Sequence, residues 1–361
     1  MEKSIIPTKK IQNRSILWAL RHIGLGFLLI LALITAIFLV KNIIQTPTLF
    51  IQMVITGLQL GFVYALIALG YTMVYGIVKL INFAHGDIFM VGSFVSFFAI
   101  THFNLHRWPA SVFPGMSELI VVVIGTITVV LLSMLVCLLL AITIERVAYK
   151  PLRDAPRIAA LITAIGVSFF LEYFGALNFV FSPRFIPYQR PFEVVTVSLR
   201  GGEITFSNIA IIIMVASILV QILLQYIVRR TKIGIAMRAA SFDKQAARLM
   251  GINVDQVISF TFAIGSAFAG LGGVLFAIAY PSIYTQLGIL PGLKAFVAAV
   301  LGGIGSIPGA FVGALIMGQA EALTMGFIST PMRDAVAFTI LIIVLLVRPT
   351  GIFGEPEKEK A

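Results

Sequence analysis

Few residues in this sequence of 361 have a type and spacing that could do chemistry. Asn82, His85 and Asp87 stand in INFAHGD, between two apolar stretches. His85 beside Asp87 has the elements of a proton relay of the kind pumps use. Alternatively, Asn82, His85 and Asp87 cap a helix that begins near Gly86. Glu172 in FFLEYFG and Glu321 in MGQAEALTMG lie inside apolar runs, where an ionised group is costly. Each reads either as an interhelical bond or as lining of a solute path. Lys294 opens a short apolar segment and is placed to snorkel towards the surface. His102 and His106 have an i, i+4 spacing that can clasp a metal on a helix, but no carboxylate or cysteine adjoins them, so no metal is expected. Gly303-x-Gly305 is not followed by Gly-Lys-Ser/Thr and no strand precedes it, so it is not a P-loop. Ser93 lacks a Gly-x-Ser-x-Gly setting. No catalytic residue and no cofactor is expected, and the chain reads as a non-enzyme.

The elements that must position these groups are apolar. The sequence is 59% hydrophobic and 11% charged, against about 25% charged in a soluble domain. Runs of about 20 apolar residues, the length a bilayer core requires, recur without the strict alternation of a membrane barrel. The expected fold is an all-α polytopic membrane protein of about ten transmembrane helices. They fall near 23–41, 51–76, 85–101, 118–144, 159–181, 207–228, 257–280, 291–304, 308–327 and 333–347. The net charge of +11 comes with asymmetry: nineteen of the 26 Lys and Arg fall in alternate loops and the two tails, and six in the others. That is the positive-inside pattern, with both termini cytoplasmic, and it argues against a nucleic-acid partner. The lone Cys137 excludes a disulfide framework and is assigned to packing. The long basic N-terminal stretch reads as an uncleaved tail and helix.

Two helices look broken, one near 70–87 and the other near 291–308, where Gly302, Gly303, Gly305 and Pro308 interrupt the run. Backbone freed in this way must face protein or water, and paired interruptions point to a solute path. Asn82, His85 and Glu321 are the candidate path residues. Small residues recur at packing spacing in Gly57/Gly61, Ala269/Gly273 and Gly309/Gly313. The alternating Phe192–Leu199, a turn at Arg200-Gly201-Gly202 and a return at Glu203–Phe206 predict a small extracytoplasmic β-hairpin near 192–206. In the basic loop TKIGIAMRAASFDKQAARLMGINVD, Ser241 can cap a short helix, Asp243 stands in its first turn, and Gly251 can end it. Ala246 and Ala247 leave room for a close partner. The alternative is a basic loop lying on anionic lipid.

Taken with GLQLGFVYALIALGYTMVYGIVKLINFAHGD, IERVAYKPLRDAPRIAALITAIG, GIAMRAASFDKQAARLMGIN, GLKAFVAAVLGGIGSIPGAFVGALIMGQAEAL and RPTGIFG, the sequence resembles the permeases of branched-chain amino acid ABC importers, the LivH type. The resemblance covers Ile51–Gly354. It implies a permease domain at 46–354; the basic tail and extra N-terminal helix at 1–45 depart from the family's pattern, and a charged cytoplasmic tail follows at 355–361. It also implies partners: a second related permease, two ATP-binding subunits and an extracytoplasmic substrate-binding protein, in a bacterial-type inner membrane. Under it, Gly234, Arg238, Ser241, Asp243, Ala246, Ala247 and Gly251 belong to an ATPase-coupling segment. The implied cargo is a branched-chain or other apolar amino acid. Urea, short amides or a sugar are alternatives within the broad family, and a facilitative channel is another outside it.

Overall fold

The structure is a computed structural model that describes residues 40–354 except Asp154 and Pro349, with only the backbone of Arg157 and Arg200. The expected span at 23–41 and the tail at 355–361 lie outside these residues. The chain divides into two compact units, Met1–Ile51 and Gln52–Ala361. The first is described from residue 40 and is helical at 40–45.

Helix α1 (Pro47–Val78) is followed, after a non-helical link, by α2 (His85–Thr101) and a short α3 (Trp108–Val112). Then come α4 (Glu118–Ile144), α5 (Arg157–Gly175), α6 (Asn208–Arg230), α7 (Lys232–Phe242) and α8 (Lys244–Leu249). The chain closes with α9 (Val254–Ala279), α10 (Ile289–Gly302), α11 (Ile307–Phe327) and α12 (Met332–Val347). Helix α5 stops at Gly175, short of the expected 181. Among the described residues, six helices are long and apolar enough to cross a membrane, or seven if α2 and the segment Leu105–Val112, bent by 62°, form one span. Helix α10, with 14 residues, rises only about 21 Å, less than the roughly 30 Å of a hydrocarbon core.

Why these helices sit in lipid is visible on α4. Leu119, Val123, Ile127, Leu131, Leu135 and Leu139 form an exposed apolar row every four residues. The opposite row, Gly125, Val129, Ser133, Cys137 and Ala141, is buried and small. A helix apolar on both faces has no face for water. Inside the bundle, small polar groups bridge helices: Ser133 donates to the Gly92 carbonyl (2.7 Å), Ser93 to Gly273 (2.9 Å) and Cys137 to Ile88 (3.4 Å). These bonds tie α2 to both α4 and α9, and α9 meets α4 directly where a Cβ on Gly270 would lie 3.0 Å from Cys137 Sγ. A Cβ on Gly318 would lie 2.3 Å from the Gly61 nitrogen, so α1 and α11 meet backbone to backbone.

Two small antiparallel pairs stand beside the helices. Strand β1 (Ile186–Pro187) pairs with β4 (Ser282–Ile283), and β2 (Thr196–Leu199) with β3 (Ile204–Ser207), Leu199 facing Ile204. Phe192–Val195 carries no strand, so β2 is shorter than the alternating run that motivated it. Asn208 explains the stop: its side chain accepts from Val195 N (3.3 Å) and donates to the Glu193 carbonyl (3.2 Å).

Candidate functional site

The basic loop after α6 is two helices, not one. Thr231 caps α7 by accepting from Gly234 N at 3.1 Å. A Cβ on Gly234 would lie 2.2 Å from the Ile227 carbonyl, so α7 turns tightly back on the end of α6. Arg238 donates to the Val228 carbonyl (2.5 Å), neutralising the carbonyl-rich end of α6. Ser241, expected as a cap, lies inside α7 and donates to the Arg238 carbonyl (2.8 Å). The cap of α8 is Asp243, whose extended backbone breaks the helix while its carboxylate accepts from Gln245 N (2.9 Å) and Ala246 N (3.1 Å). Gly251 follows at φ 80°, where glycine has no steric penalty.

Ala246 and Ala247, adjacent in sequence, have different surroundings. Ala246 faces outward, while Ala247 is buried against the bundle. At the end of α8, Leu249 and the C-cap residue Met250 are 88% and 82% exposed. The sequence reading missed them, although large apolar residues in so polar a loop were a usable signal.

Arg248 on α8 reaches Asp255 on α9 at 3.5 Å. Asp255 also meets Lys150 (3.1 Å) and Arg153 (2.5 Å). Arg153 in turn pairs with buried Glu145, which also accepts from Ser259 at 2.6 Å. Glu145 opens a π-turn, Glu145–Tyr149, at the end of α4, a local form that recurs at functional sites. Residues on α8, α9 and α4 are therefore joined by one chain of charge.

The first helix break falls at Lys79–Ala84, between α1 and α2. Capping by Asn82, His85 and Asp87 is not what forms there: Ala84 is the N-cap residue and makes no side-chain cap bond. Asn82 Oδ1 accepts from the Tyr149 hydroxyl at 2.6 Å. His85 is buried with its ring 4.8 Å from that of Tyr71, and its Nε2 lies where a Cβ on Gly70 would be. Asp87 turns from His85 to α5, where Ser168 donates to it. His102, just past the end of α2, packs on Phe98, and His106 belongs to the next, short 3-10 turn, so their helical spacing is not realised. Among the described residues, no group of three or more potential metal ligands forms.

The second break is built from Gly303 (φ 106°) and Gly305 (φ 96°), with Ser306 capping α11 through Gly309 N at 3.3 Å and Pro308 in its first turn. Gly302 packs on Gly309 so closely that a Cβ would lie 1.9 Å from its carbonyl. Glu321, deeper in α11, accepts from Lys294 (2.8 Å) and from the Tyr64 hydroxyl (3.1 Å). Lys294 also pairs with Asp334 at 2.7 Å, so it is buried in an ion pair and does not snorkel. Glu321 thus ties α1, α10 and, through Lys294, α12. It shares no partner with Asn82 or His85 among the hydrogen bonds described.

Comparison with known proteins places this architecture. The chain is 42% identical over 311 residues to the high-affinity branched-chain amino acid transport system permease protein LivH of Salmonella typhimurium, covering 86% of this chain and 97% of that one. It is equally identical to the corresponding protein BraD of Pseudomonas aeruginosa, over 86% and 98% of the two chains. A shorter stretch of 124 residues is 32% identical to the autoinducer 2 import system permease protein LsrC of Yersinia enterocolitica, 32% of this chain and 34% of that one. No solved structure matches the chain. The family described as branched-chain amino acid transport system, permease component, matches residues 53–345. Match and architecture agree, and the chain belongs to the family of branched-chain amino acid transport permeases.

Proposed function

We propose that this chain is the membrane-spanning permease subunit of an ATP-driven ABC importer that carries branched-chain or other apolar amino acids. The observation that supports it most is α8. This short capped helix presents Ala246, Leu249 and Met250 outward and is tied inward by Arg248 and Ala247. Such a surface suits a cytoplasmic ATPase subunit, since an apolar cluster rimmed by charge is the anatomy of a protein interface. The sequence carries no nucleotide-binding loop, so work reaches it by contact. Motion delivered to α8 would pass to α9 and α4 along Arg248, Asp255, Arg153 and Glu145. Gly234, Arg238, Ser241, Asp243 and Gly251 shape this coupling segment.

In this reading the ATPases are two, a second related permease completes the pathway, and both termini face the cytoplasm. The short β2–β3 pair stands outside, where an extracytoplasmic binding protein would meet Glu193 and Glu203. Arg190 is occupied by the Ile278 carbonyl at 2.8 Å. Asn82 and His85, at the break between α1 and α2, are nearest to a solute path, and Glu321 holds the helices around it. The permease domain spans residues 46–354, and residues 1–45 are an addition to it. No cofactor enters the transport cycle of this chain. A different small solute is the second reading, favoured by the partial similarity to a permease named for autoinducer 2 import.

The test is uptake of labelled leucine, isoleucine and valine by host cells lacking this chain. Uptake should fall and return with the wild-type chain, and the Ala246→Trp variant should insert normally yet fail to restore it. Unchanged uptake on deletion, or full restoration by Ala246→Trp, would overturn the cargo and the coupling assignment respectively.

A further inference from the structure

A cavity of about 480 Å³ opens where the ends of α1, α4, α5 and α9 converge. Three cations line it, Lys79, Arg153 and Lys244, and the rest of the wall is largely apolar, with Ile81, Leu161 and Phe262. Lys79 takes φ 61° at the end of α1 and sets its ammonium 5.8 Å from the centre of the Tyr75 ring. Lys244 donates to the neighbouring Val78 carbonyl at 3.3 Å. The lining carboxylate, Glu145, is fully buried and already held by Arg153 and Ser259. A zwitterion entering here would meet cations for its anionic end and no unengaged carboxylate for its ammonium. An anion that carries an apolar tail suits both parts of the wall.

The mouth supplies the second argument. Ile158 lies at the rim and is 68% exposed, and it begins the outward apolar row of α5 that continues through Ile162 and Phe169. A face of that kind belongs against acyl chains. On the orientation given by the basic loops, the cavity lies at the cytoplasmic edge of the bilayer, where anionic lipids are drawn to clustered Lys and Arg.

We infer that this cavity is a binding site for an anionic phospholipid, its phosphate between Lys79 and Lys244 and its first acyl segment against Ile81, Leu161 and Phe262. Because Lys244 opens α8, an occupied site joins that helix to the end of α1 through the lipid. The inference goes beyond the importer reading and does not depend on which solute is carried.

The experiment uses the full chain in phosphatidylcholine nanodiscs doped with phosphatidylglycerol bearing a photoreactive acyl chain, and maps the labelled peptides. Label should fall on the segments around Leu161 and Phe262, and should exceed that from a matched phosphatidylcholine probe by at least about fivefold. Lys79→Gln with Lys244→Gln should bring it down to the phosphatidylcholine level, whereas Lys79→Arg with Lys244→Arg should keep it. Arg229→Gln with Arg230→Gln, which removes the same charge at the end of α6, should leave it unchanged. Ala160→Trp removes no charge but fills the cavity and should also abolish the label, an independent arm if the glutamine variant does not fold. Equal labelling by both probes, or label that survives loss of both lysines or the Ala160→Trp substitution, would overturn the site. So would displacement by glycerol phosphate, which would make it a soluble-anion site, or by leucine, which would make it the mouth of the solute path.

Discussion

Two clusters of charge in this molecule are built on different plans. In one, Lys294 stands between Glu321 (2.8 Å) and Asp334 (2.7 Å), with the side chains of Lys294 and Glu321 only 4% and 1% exposed. In the other, Asp255 gathers Lys150, Arg153 and Arg248, and the outermost pair, Arg248 with Asp255, is 61% and 38% exposed. Breaking the first strands a charge in a medium that cannot solvate it, and breaking the rim of the second returns two ions to water. The first therefore serves to hold helices together. The rim of the second can rearrange at little cost, which is what the proposed relay between α8 and the bundle requires.

The largest effect should come from breaking the buried cluster. Lys294→Met should destabilise the fold by about 3–5 kcal/mol, because it leaves Glu321 without its cation. Thermal unfolding of the purified chain would show it, and Lys294→Met with Glu321→Gln should recover much of the loss. A double variant no better than the single would make the two residues independent and break the comparison.

Arg153, between the buried and exposed halves of the second cluster, should be intermediate. Arg153→Gln should cost about 1.5–3 kcal/mol, the value of hydrogen bonds to charged groups. Its melting temperature should fall less than that of Lys294→Met. Equal losses would mean that Glu145 is as dependent on its cation as Glu321.

The two adjacent alanines sharpen the contrast on α8. Ala247→Trp meets the bundle and should lower the yield of folded chain, an overpacking penalty of about 1–3 kcal/mol. Ala246→Trp should leave stability near wild type and show its effect in ATP-driven uptake. Matching melting curves for the two would mean that the helix rotates in the assembly.

The smallest stability effect is expected at the rim. Arg248→Ala should change unfolding by no more than about 1 kcal/mol, since the pair is exposed and screened. Its effect should appear in the ratio of ATP hydrolysed to solute moved. A large stability loss with that ratio unchanged would reassign the rim to holding the fold.

Not all of this was readable in one dimension. The apolar runs marked the helices, because a helix satisfies its own backbone and lipid demands only an apolar surface along it. Cap chemistry was half legible: Ser241 and Asp243 are both capping residue types two positions apart, and only the extended backbone at Asp243 (φ −152°, ψ 113°) shows which one ends the helix. The pairing of Asp87 with Ser168 could not be foreseen, since His85 was the nearer partner in sequence. Lys294 was read as a residue reaching for the surface, because nothing local announces carboxylates 27 and 40 positions further on.

The sequence by itself determined that this chain belongs in a membrane, that it is largely helical and which family it joins. Each of these follows from composition, backbone hydrogen bonding or motifs carried by neighbouring residues. The tertiary structure alone decided which ionisable groups meet, which alanine of α8 faces the bundle, and that Lys79, Arg153 and Lys244 surround one cavity. Desolvation and ion pairing act between groups brought within a few ångströms, and residues such as Lys294 and Glu321 reach that separation only when the helices pack.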